Sequence, residues 1–183
     1  MPSQSRHAQV HKLELRIRDI AQLFDLMDPS PLINKDLDRK TEDFIESWAF
    51  GCPRSGHFNI TIHLEQLPPD GDPSATVTQA IHNFFSYKEE LTKRSLKDML
   101  YFGRIALVIG LVFVSLCLLL ADGISRLWHH AGAEIARESL TIVGWVALWR
   151  PLQTFLYDWW PLQRKIRLYE RLSKSRIKVI HKA

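Results

Sequence analysis

Two short stretches of this chain alternate apolar and polar positions with a period of two. Lys12 to Arg18 (KLELRIR) sets Leu13, Leu15 and Ile17 on one side, and His57 to Glu65 sets Phe58, Ile60, Ile62 and Leu64 together. Such alternation predicts half-buried strands. Between them, Asp19 to Met27 reads as a short helix ended by the turn Asp28-Pro29-Ser30-Pro31. Asp38 is placed to cap a second helix running to about Phe50, with Phe44, Ile45, Trp48 and Ala49 on its inner face. Gly51 to Gly56 breaks the chain before the second strand, and Gln66 to Pro73 is a loop. Asp72 and Pro73 suit the N-cap and first position of a third helix. Its apolar positions Val77, Ile81, Phe84, Phe85 and Leu91 keep helical spacing, and neither Pro nor Gly intervenes before Gly103.

The pattern then changes character. Ile105 to Ala121 (IALVIGLVFVSLCLLLA) carries no charge, and with its flanks it is long enough for a hydrocarbon core of about 30 Å. A soluble protein would have to bury such a helix in a core larger than a chain of 183 residues can build around it. A second apolar segment, Ser139 to Trp149, is too short to cross alone. Read through Arg150 and Pro151 to Trp160, it reaches the required length. Trp128 beyond the first span, and Tyr157, Trp159 and Trp160 at the end of the second, are the expected interfacial anchors. The alternative for the second segment is a re-entrant or interfacial helix.

Charge divides the chain along the same line. Residues 1–100 hold 12 Lys and Arg against 15 Asp and Glu, whereas residues 101–183 hold 12 against 5. The basic excess is concentrated after the second span, so it describes a tail and does not point to nucleic acid. Lys93, Arg94, Lys97 and Arg104 precede the first span. With basic residues outside both outer ends of the hairpin, the positive-inside rule predicts two cytoplasmic termini. The first ten residues are polar and lack a secretory core, so insertion is expected to rest on an internal segment.

The expected architecture is α+β: a small cytoplasmic domain of two or three strands and two or three helices, joined to a two-helix transmembrane hairpin. Its divisions are a domain at 1–100, a first span at 101–128, a short external loop at 129–138, a second span at 139–161 and a basic cytoplasmic tail at 162–183. The tail has two readings. Leu162, Ile166, Tyr169 and Leu172 share a side, which suits a helix lying on anionic lipid with Arg164, Lys165, Arg167 and Arg171 toward the headgroups. Arg176 to His181 alternates instead and can supply a third strand. A two-stranded sheet is marginal alone, so that strand or a second subunit is expected to complete it.

Candidate chemistry is sparse. Arg150 falls near the middle of the second span, where an arginine costs about 2.5–3.5 kcal/mol on insertion scales, and such residues are functional by default. Asp158 lies about 12 Å further along a helix, too far for direct pairing, so a partner from another subunit or protein is expected. Pro151 removes one backbone hydrogen bond beside it and can kink the helix. His57, His63, His129 and His130 lack the spacing or carboxylate support of a metal site, and Cys52 and Cys117 sit in settings too different to pair. The CPRSG segment around Cys52 reads as a turn, and Asp36, Asp38, Glu42, Asp43 and Glu46 as a solvated face. No phosphate loop, dinucleotide fingerprint or nucleophile elbow occurs. No cofactor or metal is expected.

The stretches GWVALWRPLQTFLYDWWPLQRKIRLYERL (Gly144 to Leu172) and LFDLMDPSPLINKDLDRKTEDFIESWA (Leu23 to Ala49) resemble a group of small bacterial two-span membrane proteins. That resemblance implies a bacterial inner membrane and brings no catalytic residue or ligand. The sequence is therefore read as a non-enzymatic oligomeric scaffold or accessory subunit, partnered by the anionic bilayer and by itself or another membrane protein. A small transporter or channel subunit with Arg150 and Asp158 lining its path is the rival, and a membrane enzyme acting on lipid the third reading.

Overall fold

The computed structural model describes residues 10–53, 55–66, 72–127 and 131–181. Three strands and four α-helices follow in the order β1 (Val10–Ile17), α1 (Arg39–Gly51), β2 (His57–Leu64), α2 (Ser74–Leu127), α3 (Ala131–Gln153), α4 (Trp159–Ser173) and β3 (Arg176–His181). The chain divides into two compact units, Met1–Leu91 with Lys165–Ala183, and Thr92–Arg164.

In the first unit the three strands form one parallel sheet in the order β1-β2-β3. The third strand is the RIKVIH segment, so both outer parts of the chain contribute to one sheet. Parallel neighbours require crossovers, which α1 supplies between β1 and β2. Register runs from Val10↔His57 to Ile17↔Leu64, and from Asn59↔Arg176 to Leu64↔His181. This sets Leu13, Leu15 and Ile17 beside Phe58, Ile60, Ile62 and Leu64, with Ile177 and Val179 on the far side. The side chains of Phe58, Ile60, Ile62 and Leu64 are fully buried. Onto them pack Ile45 and Ala49 of α1, Val77, Ile81, Phe84 and Phe85 of α2, and Leu168, Tyr169 and Leu172 of α4.

The cap of α1 forms as the sequence suggests, while α2 begins at Ser74, one residue later than expected. Asp38 accepts hydrogen bonds from the amides of Lys40 and Thr41 at the start of α1, and Asp72 accepts one from Ser74 at the start of α2. The helix expected over Asp19 to Met27 shrinks to a single 3₁₀ turn at Ile20–Gln22. There Leu23 and Phe24 turn into the core, and a bridge from Phe24 to Leu37 closes the following loop. Inside that loop the Asp28 carboxylate accepts from the amides of Ser30 and Asp36, and the Asp36 amide in particular holds its pKa below the usual carboxylate range.

Two acids expected on a solvated face are not there. Glu42 pairs with Lys88 at 2.6 Å, and Glu46 accepts a 2.6 Å hydrogen bond from the hydroxyl of Tyr169. They lie on the side of α1 that meets α2 and α4, a proximity that spacing along α1 cannot reveal.

The second unit holds the remainder of α2, then α3, a π turn at Thr154–Asp158 and the start of α4. Here α2 and α3 pack closely through small residues. A Cβ on Gly103 would lie 3.1 Å from Thr154 Cγ2, one on Gly110 would lie 3.0 Å from Leu148 Cδ2, and one on Gly144 would lie 3.4 Å from Cys117 Cβ. Val114, Cys117 and Ala121 continue the buried side of α2. Of the described helices, α2 alone is long and apolar enough to cross a membrane, with an 18-residue window of mean hydropathy 2.7. The helix that carries the expected second span, α3, does not reach that standard: Arg150 interrupts its apolar part, and Glu134, Arg137 and Glu138 occupy its early turns, before the expected span begins. The external loop expected at 129–138 is also corrected, since α3 is helical from Ala131 onward. Trp128, His129 and His130 lie outside the described residues.

Candidate functional site

Pro151 lies inside α3, just before a π turn. Lacking an N–H, it cannot bond the carbonyl of Ala147 one turn earlier, and its ring crowds that carbonyl. One turn further on, the helix widens into the π turn at Thr154–Asp158, a form found mostly as isolated bulges and often at functional sites. Thr154 is buried there. Its hydroxyl lies 3.3 Å from the Arg150 carbonyl and 3.3 Å from Asp158 Oδ2. With one hydrogen to donate, it serves only one of these acceptors at a time. Trp159 closes the turn by donating its indole N–H to the Phe155 carbonyl at 2.9 Å.

The expected intramembrane residues are thus partly assembled. Pro151 is buried against α2, and Asp158 is half-buried and tied to Thr154. Arg150 projects outward and makes no ion pair among the described residues. Of the aromatic anchors, Tyr157 and Trp160 are exposed, and Trp159 is half-buried with its ring edge-on to Trp160 at 5.8 Å. Thr154 was not singled out by sequence reasoning. The available signal was its position four residues after Arg150 and four before Asp158.

The basic residues of α4 do not form one group. Arg164, Lys165 and Arg167 are exposed. Arg171 is instead directed into the first unit, which corrects its assignment to a membrane-facing set. Its guanidinium lies over the Phe58 ring at 4.0 Å and donates to the carbonyls of Pro53 (3.3 Å) and Gly56 (3.0 Å). Gly56 has φ of 113°, which a residue with a side chain adopts only under strain, so the loop that presents these carbonyls depends on glycine. The turn read at CPRSG is therefore a cradle for Arg171. Burial raises the Cys52 pKa, and its thiol donates to the Trp48 carbonyl at 3.4 Å, so it is a protonated packing group.

The apolar stripe of α4 is likewise turned inward. Leu168, Tyr169 and Leu172 are buried in the core of the first unit, and Ile166 is buried as well, so these side chains are not free to lie on lipid. Burial, and after it the hydrogen bond to Glu46 and that residue's charge, push the Tyr169 phenol above its ordinary range. A raised folded-state pKa adds stability that is complete below the unfolded value near 10 and is lost as pH climbs through the folded one. Tyr169→Phe is expected to cost about 1–3 kcal/mol at neutral pH, because Glu46 loses its donor. Its stability should fall less steeply than that of the native chain between about pH 9 and about pH 11. Urea unfolding at both pH values checks this, and parallel curves would refute the assignment.

Comparison of the chain with family models, with curated proteins and with solved structures found no match. Among the described residues, no three His, Cys, Asp or Glu side chains gather as a metal site.

Proposed function

We propose that this chain is an integral membrane protein of the bacterial inner membrane that crosses the bilayer twice, with both termini cytoplasmic. In this reading it acts without catalysis, as an oligomeric scaffold or accessory subunit whose small α+β domain binds a partner. The observation that carries the reading is the exposed apolar surface of α2: only 22% of its apolar window is buried. A core helix of a soluble protein would be mostly covered, and an apolar mantle of this extent is untenable in water. Support for a second crossing comes from the side of α3 away from α2, where Ile142, Val143, Trp145, Val146, Trp149 and Leu152 are exposed.

The cross-helix contacts also bear on the depth of Arg150. Pro151 lies beside Gly110, and Thr154 beside Gly103, next to Arg104. Arg150 is then about one turn, or roughly 5 Å, inside the basic end of the Ile105–Ala121 stretch, and not at its middle. An arginine so placed can bring its guanidinium to the headgroups at reduced cost. The rival reading, a small transporter or channel subunit, draws on the polar thread of Arg150 carbonyl, Thr154 and Asp158.

Mass measurement of the detergent-solubilised protein tests the scaffold: several chains per particle are expected, and a strict monomer would sink it. Solute flux in proteoliposomes that disappears in Asp158→Asn would favour transport instead.

A further inference from the structure

The sheet of the first unit has a second face that no described element covers. Parallel sheets are ordinarily covered on both faces. Here the uncovered face is mostly polar, with Val10 beside His57 at one end and Ile180 at the other as its apolar members. Lys12, Asn59 and Arg176 form one row, Glu14, Thr61 and Lys178 the next, and Arg16, His63 and Ile180 the third. With neighbouring strands about 4.8 Å apart, the two outer strands stand about 10 Å from each other. The face is thus a shallow trough, with cations along both walls and a neutral floor on β2.

Lys12, Arg16, Arg176 and Lys178 are exposed, and none of them makes an ion pair among the described residues. The single acid of these three rows, Glu14, lies 3.9 Å from His63 Nε2. On the floor, Asn59 Oδ1 and His63 Nε2 are shielded from water and have no hydrogen-bond partner. Shielded polar atoms without partners are costly, and they are normally satisfied by something that completes the site.

We propose that this trough binds an extended acidic segment of a partner protein. Four unpaired cations around one acid call for a polyanion, and they oppose a second copy of the same face. The floor decides the kind of polyanion. Asn59 Oδ1 needs a donor, which a polypeptide brings in its N–H groups, whereas phosphate oxygens are acceptors only. The floor also carries no Phe, Tyr or Trp on which the bases of single-stranded nucleic acid would stack. Carboxylates would meet the walls while amides meet the floor, which gives electrostatic steering together with register.

This inference deepens the scaffold reading by naming the partner's chemistry, and it rests on that reading only for its biological purpose. The test uses the full chain in a neutral detergent and a fluorescein-labelled peptide of alternating glutamate and alanine, followed by anisotropy. Salt-sensitive binding is expected. The double variant Lys12→Glu/Lys178→Glu should weaken it by about tenfold or more, while Lys40→Glu, an exposed change on α1, should leave it unaltered. Asn59→Ala should weaken the peptide several-fold.

Peptide binding that is absent, or that survives the double reversal, overturns the proposal. So does tighter binding of oligo-dT or of phosphatidylglycerol vesicles at the same trough. Backbone circular dichroism separates a folded variant from a misfolded one, and the singly reversed Lys178→Glu serves if the double variant does not fold. Failure of the membrane reading would show separately, as release of the native chain by alkaline carbonate, whatever the peptide does.

Discussion

Replacing Val112 and Leu116 by aspartate is expected to abolish membrane residence. Both side chains are exposed on α2, within a stretch that carries no charge between Arg104 and Asp122. On insertion scales an aspartate near the centre of a span costs about 2.5–3.5 kcal/mol, so the pair costs about 5–7 kcal/mol. The native chain should stay in the pellet after alkaline carbonate extraction, and the double variant should appear in the supernatant or be degraded. Arg150→Leu serves as the control, since it removes a charge and should leave the chain in the pellet. If the native chain washes off, or the double variant remains embedded, the stretch is not a span. It would then have to be covered by another protein, because water cannot solvate it.

Leu172→Ala should strongly destabilise the sheet domain. Leu172 is 0% exposed and belongs to the same core as Ile62 and Phe85. Truncating a buried leucine costs about 2–5 kcal/mol, most where the surroundings cannot collapse into the space. Against a typical total of about 5–15 kcal/mol this is a severe loss. Hydrogen exchange of the β2 amides should accelerate by about 30-fold or more if the domain opens as one unit. Arg167→Ala, an exposed change one turn earlier, should leave β2 protected within about 0.5 kcal/mol. The alternative, in which α4 lies on lipid, makes the opposite demand: Leu172→Ala would weaken membrane partitioning and leave β2 untouched. That outcome would remove α4 from the core.

The same helix separates what spacing along the chain reveals from what it cannot. Its stripe of Leu162, Ile166, Tyr169 and Leu172 is legible from spacing, and so is its need for an apolar surface. The identity of that surface is not legible. Lipid and a protein core accept the same stripe, and only the partners Phe58, Glu46 and Phe85, some eighty or more positions away, distinguish them. Arg171 illustrates the point with a charge, since nothing local separates an arginine at a headgroup from one stacked on a phenylalanine. The candidate intramembrane site shows the same division. Arg150, Pro151 and Asp158 are conspicuous as polar or helix-breaking residues in an apolar run. The link through Thr154 required the π turn, and the level of Arg150 along α2 required the contacts made by Gly103 and Gly110.

What the sequence determined by itself was local or cumulative. Period-two alternation defined β1 and β2, side-chain oxygens at Asp38 and Asp72 marked the starts of α1 and α2, and an uncharged run marked the part of α2 that is long and apolar enough to cross a bilayer. Each depends on residues within a few turns of one another, or on a sum of transfer free energies that needs no geometry. Tertiary structure alone decided that β1, β2 and β3 lie parallel, that the apolar stripe of α4 closes the domain core, and that one face of the sheet is left open between two cationic edges. These follow from pairings between segments separated by dozens of residues. Several arrangements satisfy the same hydrophobic pattern, and packing selects one of them.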